Sequence, residues 1–148
     1  MKILMVCLGN ICRSPLAEGI LQAKVGDRHL VDSAGTGNWH VGEQPDSRSV
    51  ATAKKQGVDI SDQRAMYFNP IFFEEFDLIF AMDKQNLTDL QQLARNEEER
   101  SKVKLILKEG LNITDNVPDP FYEKDEAFDQ VYQLLDRATD GLIKKYNL

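Results

Sequence analysis

A chain of 148 residues, 42% hydrophobic and 28% charged, has the length for one domain, residues 1–148, that buries roughly 70% of its unfolded surface without disulfide or metal staples. Its net charge of −6 excludes the basic face that nucleic acid or an anionic membrane needs, so neither is an expected partner. Two cysteines, two histidines outside any ligand pair and an N-terminal apolar run too short for a signal core or membrane span argue against a zinc site and point to the reducing cytoplasm.

The first element is the apolar run Ile3-Leu4-Met5-Val6, which alone fits a buried strand or a helix. Gly9-Asn10 ends it and Pro15 opens an amphipathic segment, so strand, loop and helix is the economical parse. Between Cys7 and Arg13 the chain can curl its N–H groups into an anion cradle, with Gly9 and Asn10 tolerating the positive φ such a curl needs. The following helix N-terminus adds its partial positive charge. That field favours the thiolate of Cys7, and Arg13 offers the planar fork that clamps two oxygens of a tetrahedral dianion. A thiolate, an amide cradle and a guanidinium together describe phosphoryl transfer through a cysteinyl-phosphate.

Leu16, Ala17, Ile20, Leu21 and Ala23 follow as a helical stripe, with Ser14 and Pro15 suited to the cap and first turn and Gly26-Asp27 as the stop. Leu30 to Ala34 reads as a second strand, ending in Gly35-Thr36-Gly37, a loop able to lie beside the first. Trp39 stands in a polar, Gly-containing stretch, where it either packs on its own surface or walls a cleft. Pro45 to Gln56 reads as a helix closed by Gly57.

Phe76 to Met82 is continuously apolar apart from Asp77, as a central parallel strand should be. Asp83 can cap the next helix, whose Leu87, Leu90, Leu93 and Ala94 share a face. Glu97 to Arg100 reads as a solvated helix end or turn, and Val103 to Leu107 as a fourth strand. In Val117-Pro118-Asp119-Pro120-Phe121-Tyr122 the prolines stiffen the backbone on either side of Asp119 and hold its carboxylate at a defined place. An isolated turn of this kind is commonly structural, but a phosphatase with a cysteine nucleophile needs an acid for the leaving oxygen. Ala127 to Tyr146 is a long amphipathic helix. This alternation predicts a three-layer α/β sandwich with a four-stranded parallel sheet, its first strand central and its ligand at that strand's C-terminal end.

The run Cys7-Leu8-Gly9-Asn10-Ile11-Cys12-Arg13-Ser14-Pro15 resembles the phosphate-binding loop of the low-molecular-weight protein tyrosine phosphatases at all nine positions. The resemblance continues through Asp32-Ser33-Ala34-Gly35, Trp39 with Val41-Gly42, Ala81-Met82-Asp83 with Asn86-Leu87, and Asp119-Pro120-Phe121-Tyr122. It implies strand order 2-1-3-4, hydrolysis of phosphotyrosine in phosphoproteins, inorganic phosphate as product and competing ligand, and no metal or cofactor. It implies Cys7 as nucleophile, Arg13 as clamp and Asp119 as acid and then base. The amides from Leu8 through Gly9, Asn10, Ile11 and Cys12 to Arg13 would hold the phosphate, Ser14 would stabilise the leaving thiolate, and Trp39 and Tyr122 would wall the cleft. Related arginine phosphatases usually carry Thr at the place of Ile11, which favours phosphotyrosine. The related thiol-dependent arsenate reductases need resolving cysteines on another segment, and Cys12 is the only other cysteine. Cys12 is either loop filler or a trap for oxidised Cys7. Where the family commonly has a loop-steadying histidine, this chain has none, and Gln63 or Asp62 is the nearest occupant.

Overall fold

A computed structural model describes all 148 residues. Four parallel strands, β1 (Lys2–Cys7), β2 (Leu30–Gly35), β3 (Leu78–Ala81) and β4 (Val103–Leu105), lie in the order β2-β1-β3-β4. Helices α1 (Arg13–Val25), α2 (Ser47–Lys55), α3 (Phe72–Glu75), α4 (Lys84–Leu93), α5 (Glu97–Lys102), α6 (Ile106–Leu111) and α7 (Asp125–Tyr146) connect and cover them. The expected sheet and order are therefore both present.

Alternation along β1 builds two cores, because successive side chains leave a strand on opposite faces. Ile3, Met5 and Cys7 join Leu16, Ile20, Leu135 and Leu142 on one side. Leu4 and Val6 join Phe73, Ile79, Ala81 and Leu90 on the other. The central strand is thus buried on both faces, and Cys7 is carried to its C-terminal end, level with Gly35 of β2.

Several boundaries differ from the sequence expectation. The apolar run from Val103 is strand only as far as Leu105, and Ile106 and Leu107 already belong to α6. Both stay buried, now within the core that includes Ala138 and Leu142 of α7, so burial alone could not separate strand from helix there. Strand β3 begins two residues later than expected, because Asp77 uses its carboxylate and amide on Lys2. Helix α2 begins only at Ser47, where Asp46 accepts the Arg48 N–H at 2.9 Å as N-cap. Ser14 is no cap: α1 has already begun at Arg13 after Cys12, which makes no side-chain cap bond. The acidic run Glu97 to Arg100 is a helix start rather than a wholly solvated face, since Glu99 is buried and grips Arg95 at 2.6 Å.

Candidate active site

The loop leaving β1 curls tightly, and Asn10 is its one left-handed residue at φ 57°. Gly9 has no positive φ; what its lack of a side chain provides is room, because a Cβ there would stand 3.1 Å from His40 Cδ2. Asn10 N–H points at the Cys7 sulfur at 3.3 Å, and Ser14 Oγ lies 2.9 Å from it. Both are contacts that a thiolate accepts. The amides of Leu8, Gly9, Ile11 and Cys12 have no acceptor within the protein, an arrangement that suits a bound oxyanion.

Arg13 is buried at the far end of the loop. Its Nη1 donates to Asp83 Oδ2 at 2.7 Å and to the Val117 carbonyl at 3.0 Å, which leaves Nη2 and Nε uncommitted. Nη2 lies 3.8 Å from Asp119 Oδ2. Burial opposes the guanidinium's charge, but Cys7, Asp83 and Asp119 outweigh it and raise its ionisation further above the ordinary arginine value. Burial, then the negative charges of Asp46, Cys7 and Asp119, push the Cys12 thiol up to about 12. It is free, buried and held protonated.

Over the loop opens a cleft of about 160 Å3 lined by Cys7, Leu8, Gly9, Ile11, Cys12, Arg13, Trp39, His40, Asp119, Phe121 and Tyr122. Trp39 and Tyr122 are solvent-exposed at 61% and 92%, so these rings wall the cleft rather than pack into the body of the chain. Gly37 makes room for the Trp39 ring, because any Cβ there would meet that ring at 2.2 Å. Tyr122 is braced edge-on by Phe121, with centroids 4.9 Å apart. Asp119 is exposed at the rim, and its Oδ1 accepts the Phe121 N–H at 3.1 Å.

Asn10 and Ser14 do not line the cleft. They stand behind it in a buried relay: Asn10 Nδ2 donates to Ser14 Oγ at 2.8 Å and to Ser33 Oγ at 2.9 Å, and Ser33 donates onward to Glu18 at 2.7 Å. Met66 N–H holds Asn10 Oδ1 at 2.9 Å. In a chain without the expected histidine, Ser33, Glu18 and the Met66 amide steady the loop. Gln63 is elsewhere, donating to the Pro15 carbonyl at 3.1 Å.

Sequence reasoning missed Asp83 as the partner of Arg13, the Ser33–Glu18 end of the relay, and His40. The Asp83–Asn86 capping spacing was visible, but not which way the second carboxylate oxygen turns. His40, adjacent to Trp39 and with centroids 6.4 Å apart, could have been found from that adjacency alone.

A cysteine in an open amide cradle, closed by a buried arginine at the head of a parallel sheet, defines an oxyanion-binding cysteine site of the kind cysteine-dependent phosphatases use. The comparisons narrow the class. The family model described as low molecular weight phosphotyrosine protein phosphatase matches residues 2–147, and the chain belongs to that family. The low molecular weight protein-tyrosine-phosphatase of Streptomyces coelicolor is 37% identical, over 96% of this chain and 91% of its own. A crystal structure of a protein tyrosine phosphatase from Entamoeba histolytica, with Hepes in the active site, superposes with a TM-score of 0.93 at 36% identity, covering 99% of this chain and 97% of that one. Vibrio vulnificus Wzb in complex with benzylphosphonate superposes with a TM-score of 0.88 at 33% identity, covering 97% of each chain.

Proposed function

We propose that this chain, as one phosphatase domain spanning residues 1–148, hydrolyses phosphotyrosine in proteins, and aryl phosphates generally, through a cysteinyl-phosphate on Cys7. The observation that carries the reading is the proximity of Asp119 to Arg13, 3.8 Å between Oδ2 and Nη2, on the rim of the same cleft that the Cys7 loop floors. One pocket thereby joins a nucleophile, a clamp and an acid.

The Cys7 sulfur attacks phosphorus in line and the P–O bond to the phenol breaks. The unpaired loop amides and the Arg13 guanidinium take the equatorial oxygens, where charge grows in the transition state. Asp119, protonated for this step, gives its proton to the leaving phenolate. As carboxylate it then takes a proton from a water that attacks the cysteinyl-phosphate. The Cys7 thiolate departs, helped by the Ser14 hydroxyl and Asn10 N–H, and inorganic phosphate is the product. Trp39 and Tyr122 flank the phenyl ring of the substrate. The benzylphosphonate bound by the Vibrio vulnificus relative, a phosphonate on a benzyl group, supports an aryl-bearing substrate. Two buried, free thiols support a reducing, cytoplasmic setting, and no helix is long and apolar enough to cross a membrane.

The test is turnover of p-nitrophenyl phosphate and a phosphotyrosine peptide. Cys7→Ser should abolish turnover while still binding phosphate, and measurable turnover by that variant would remove the nucleophile. Asp119→Ala should lower kcat/KM for phenyl phosphate by about 10²–10⁴-fold and spare dinitrophenyl phosphate, whose leaving group needs no proton. An equal loss on both would remove the acid.

A further inference from the structure

Arg48, on the first turn of α2, lies outside the cleft lining yet reaches across to the loop that carries Asp119. Its Nη2 donates to the Phe121 carbonyl at 3.0 Å and its Nη1 to the Glu123 carbonyl at 3.2 Å. Phe121 is also the residue whose N–H holds the Asp119 carboxylate. The guanidinium sits over the Phe128 ring at 4.3 Å and near the Phe121 ring at 5.8 Å, contacts that favour a planar cation. Asp46 fixes it from the other side through Nε and Nη2, each at 3.0 Å.

The same turn of α2 is fastened to the phosphate loop. Asp46 N–H donates to the Ile11 carbonyl at 2.8 Å, and Ser49 Oγ to the Cys12 carbonyl at 3.4 Å. One helix start therefore holds the outer half of the Cys7 loop by its backbone and the Asp119 loop by a single side chain. We infer that Arg48 is a positioning residue for the general acid: it sets the reach of the Asp119 loop over the nucleophile without touching substrate. The inference rests on Asp119 being that acid. Two carbonyls gripped by one fork need two aligned donors, so lysine cannot replace Arg48.

The test uses the leaving-group dependence of kcat/KM in the full chain. Arg48→Met, which keeps an apolar stem on Phe128, should cut kcat/KM for phenyl phosphate by about 10–100-fold, the scale of a misplaced catalytic group, and change that for dinitrophenyl phosphate by less than about 3-fold. Alkylation of Cys7 by iodoacetate, and its protection by inorganic phosphate, should stay near wild type, because the backbone bond from Asp46 to Ile11 survives. Arg48→Lys, whose single ammonium cannot align on both carbonyls, should show the same selective loss on phenyl phosphate, nearer the 10-fold end of about 10–100-fold. Placed on an Asp119→Ala background, Arg48→Met should add no further loss on phenyl phosphate. An equal fall on both substrates, unchanged rates on both, or a further loss on the Asp119→Ala background, overturns the inference. Arg48→Lys decides if Arg48→Met does not fold. Failure of Asp119→Ala alone to discriminate the two substrates would instead overturn the reading of Asp119.

Discussion

Asp83 divides its two carboxylate oxygens between two tasks. Oδ1 accepts the Asn86 N–H at 2.7 Å as the cap of α4, and Oδ2 accepts from Arg13 at 2.7 Å. Asparagine keeps one oxygen, which caps a helix as well as aspartate does, but then turns an amide donor toward the donor Nη1 of Arg13. Asp83→Asn should accordingly lower kcat/KM by about 10–100-fold while the melting temperature stays within about 1 °C of wild type, less than the shift of about 2–4 °C that 1 kcal/mol produces in a chain of this size. Asp83→Ala should lose both the rate and about 1 kcal/mol of stability from the missing cap. Steady-state kinetics beside a thermal melt separates the two; equal stability loss in both variants would show that the cap and the clamp are not separable. The Cys7 loop was legible because its donors are consecutive in the chain, and Asp119 because two prolines flank it. Asp83 was not, since its partner lies 70 residues away and nothing in local spacing reports a contact of that range.

Elements were legible wherever a pattern period was long enough to be read. Helix α7 shows its stripe over 22 residues, and its buried Phe128, Val131, Tyr132, Leu135, Ala138 and Leu142 match the expected face. Strand β4, at three residues, is shorter than one helical turn of about 3.6 residues and barely exceeds one strand repeat of about two, so its junction with α6 could not be seen. Past that junction α6 lies backbone to backbone against α7. A Cβ on Gly141 would stand 1.7 Å from the Gly110 carbonyl oxygen, and one on Gly110 2.3 Å from that of Ala138. Neither obstacle is the end of a flexible side chain, so the helices themselves would have to separate. Gly141→Ala should therefore destabilise the fold by about 3 kcal/mol, at the upper end of ordinary overpacking and despite the better helix propensity of alanine. Urea unfolding would measure it. A stability equal to wild type would mean that α6 can lift off α7 without cost to the sheet.

For the whole molecule, the relay behind the Cys7 loop has a pH-dependent consequence. Glu18, on α1 between the loop and β2, has its carboxyl raised from 4.5 to about 7, chiefly by burial, with the Ser33 hydrogen bond opposing and Asp32 adding to the rise. In the unfolded chain it ionises near 4.5, so between that pH and about 7 the unfolded state sheds a proton that the folded state keeps. Stability must then fall as pH rises through this window, and the full cost, at most about 3 kcal/mol, is reached above it. The usual salt-bridged carboxylate runs the other way and gains stability over its own window, so the sign identifies a buried, unpaired acid. Gln at this position keeps an oxygen to accept the Ser33 hydroxyl and carries no charge. Glu18→Gln should unfold at the same urea concentration as wild type near pH 4 and at a higher one at pH 8, with the difference opening across the window. The relay accepts either protonation state at its Glu18 end, because Ser33 donates in both, so turnover of p-nitrophenyl phosphate by Glu18→Gln should remain within about 3-fold of wild type, a change of less than about 1 kcal/mol in barrier. Curves that stay parallel from pH 4 to pH 8 would mean that Glu18 is already solvated in the folded chain, and that the Ser33–Asn10 pair alone carries the work expected of the absent histidine.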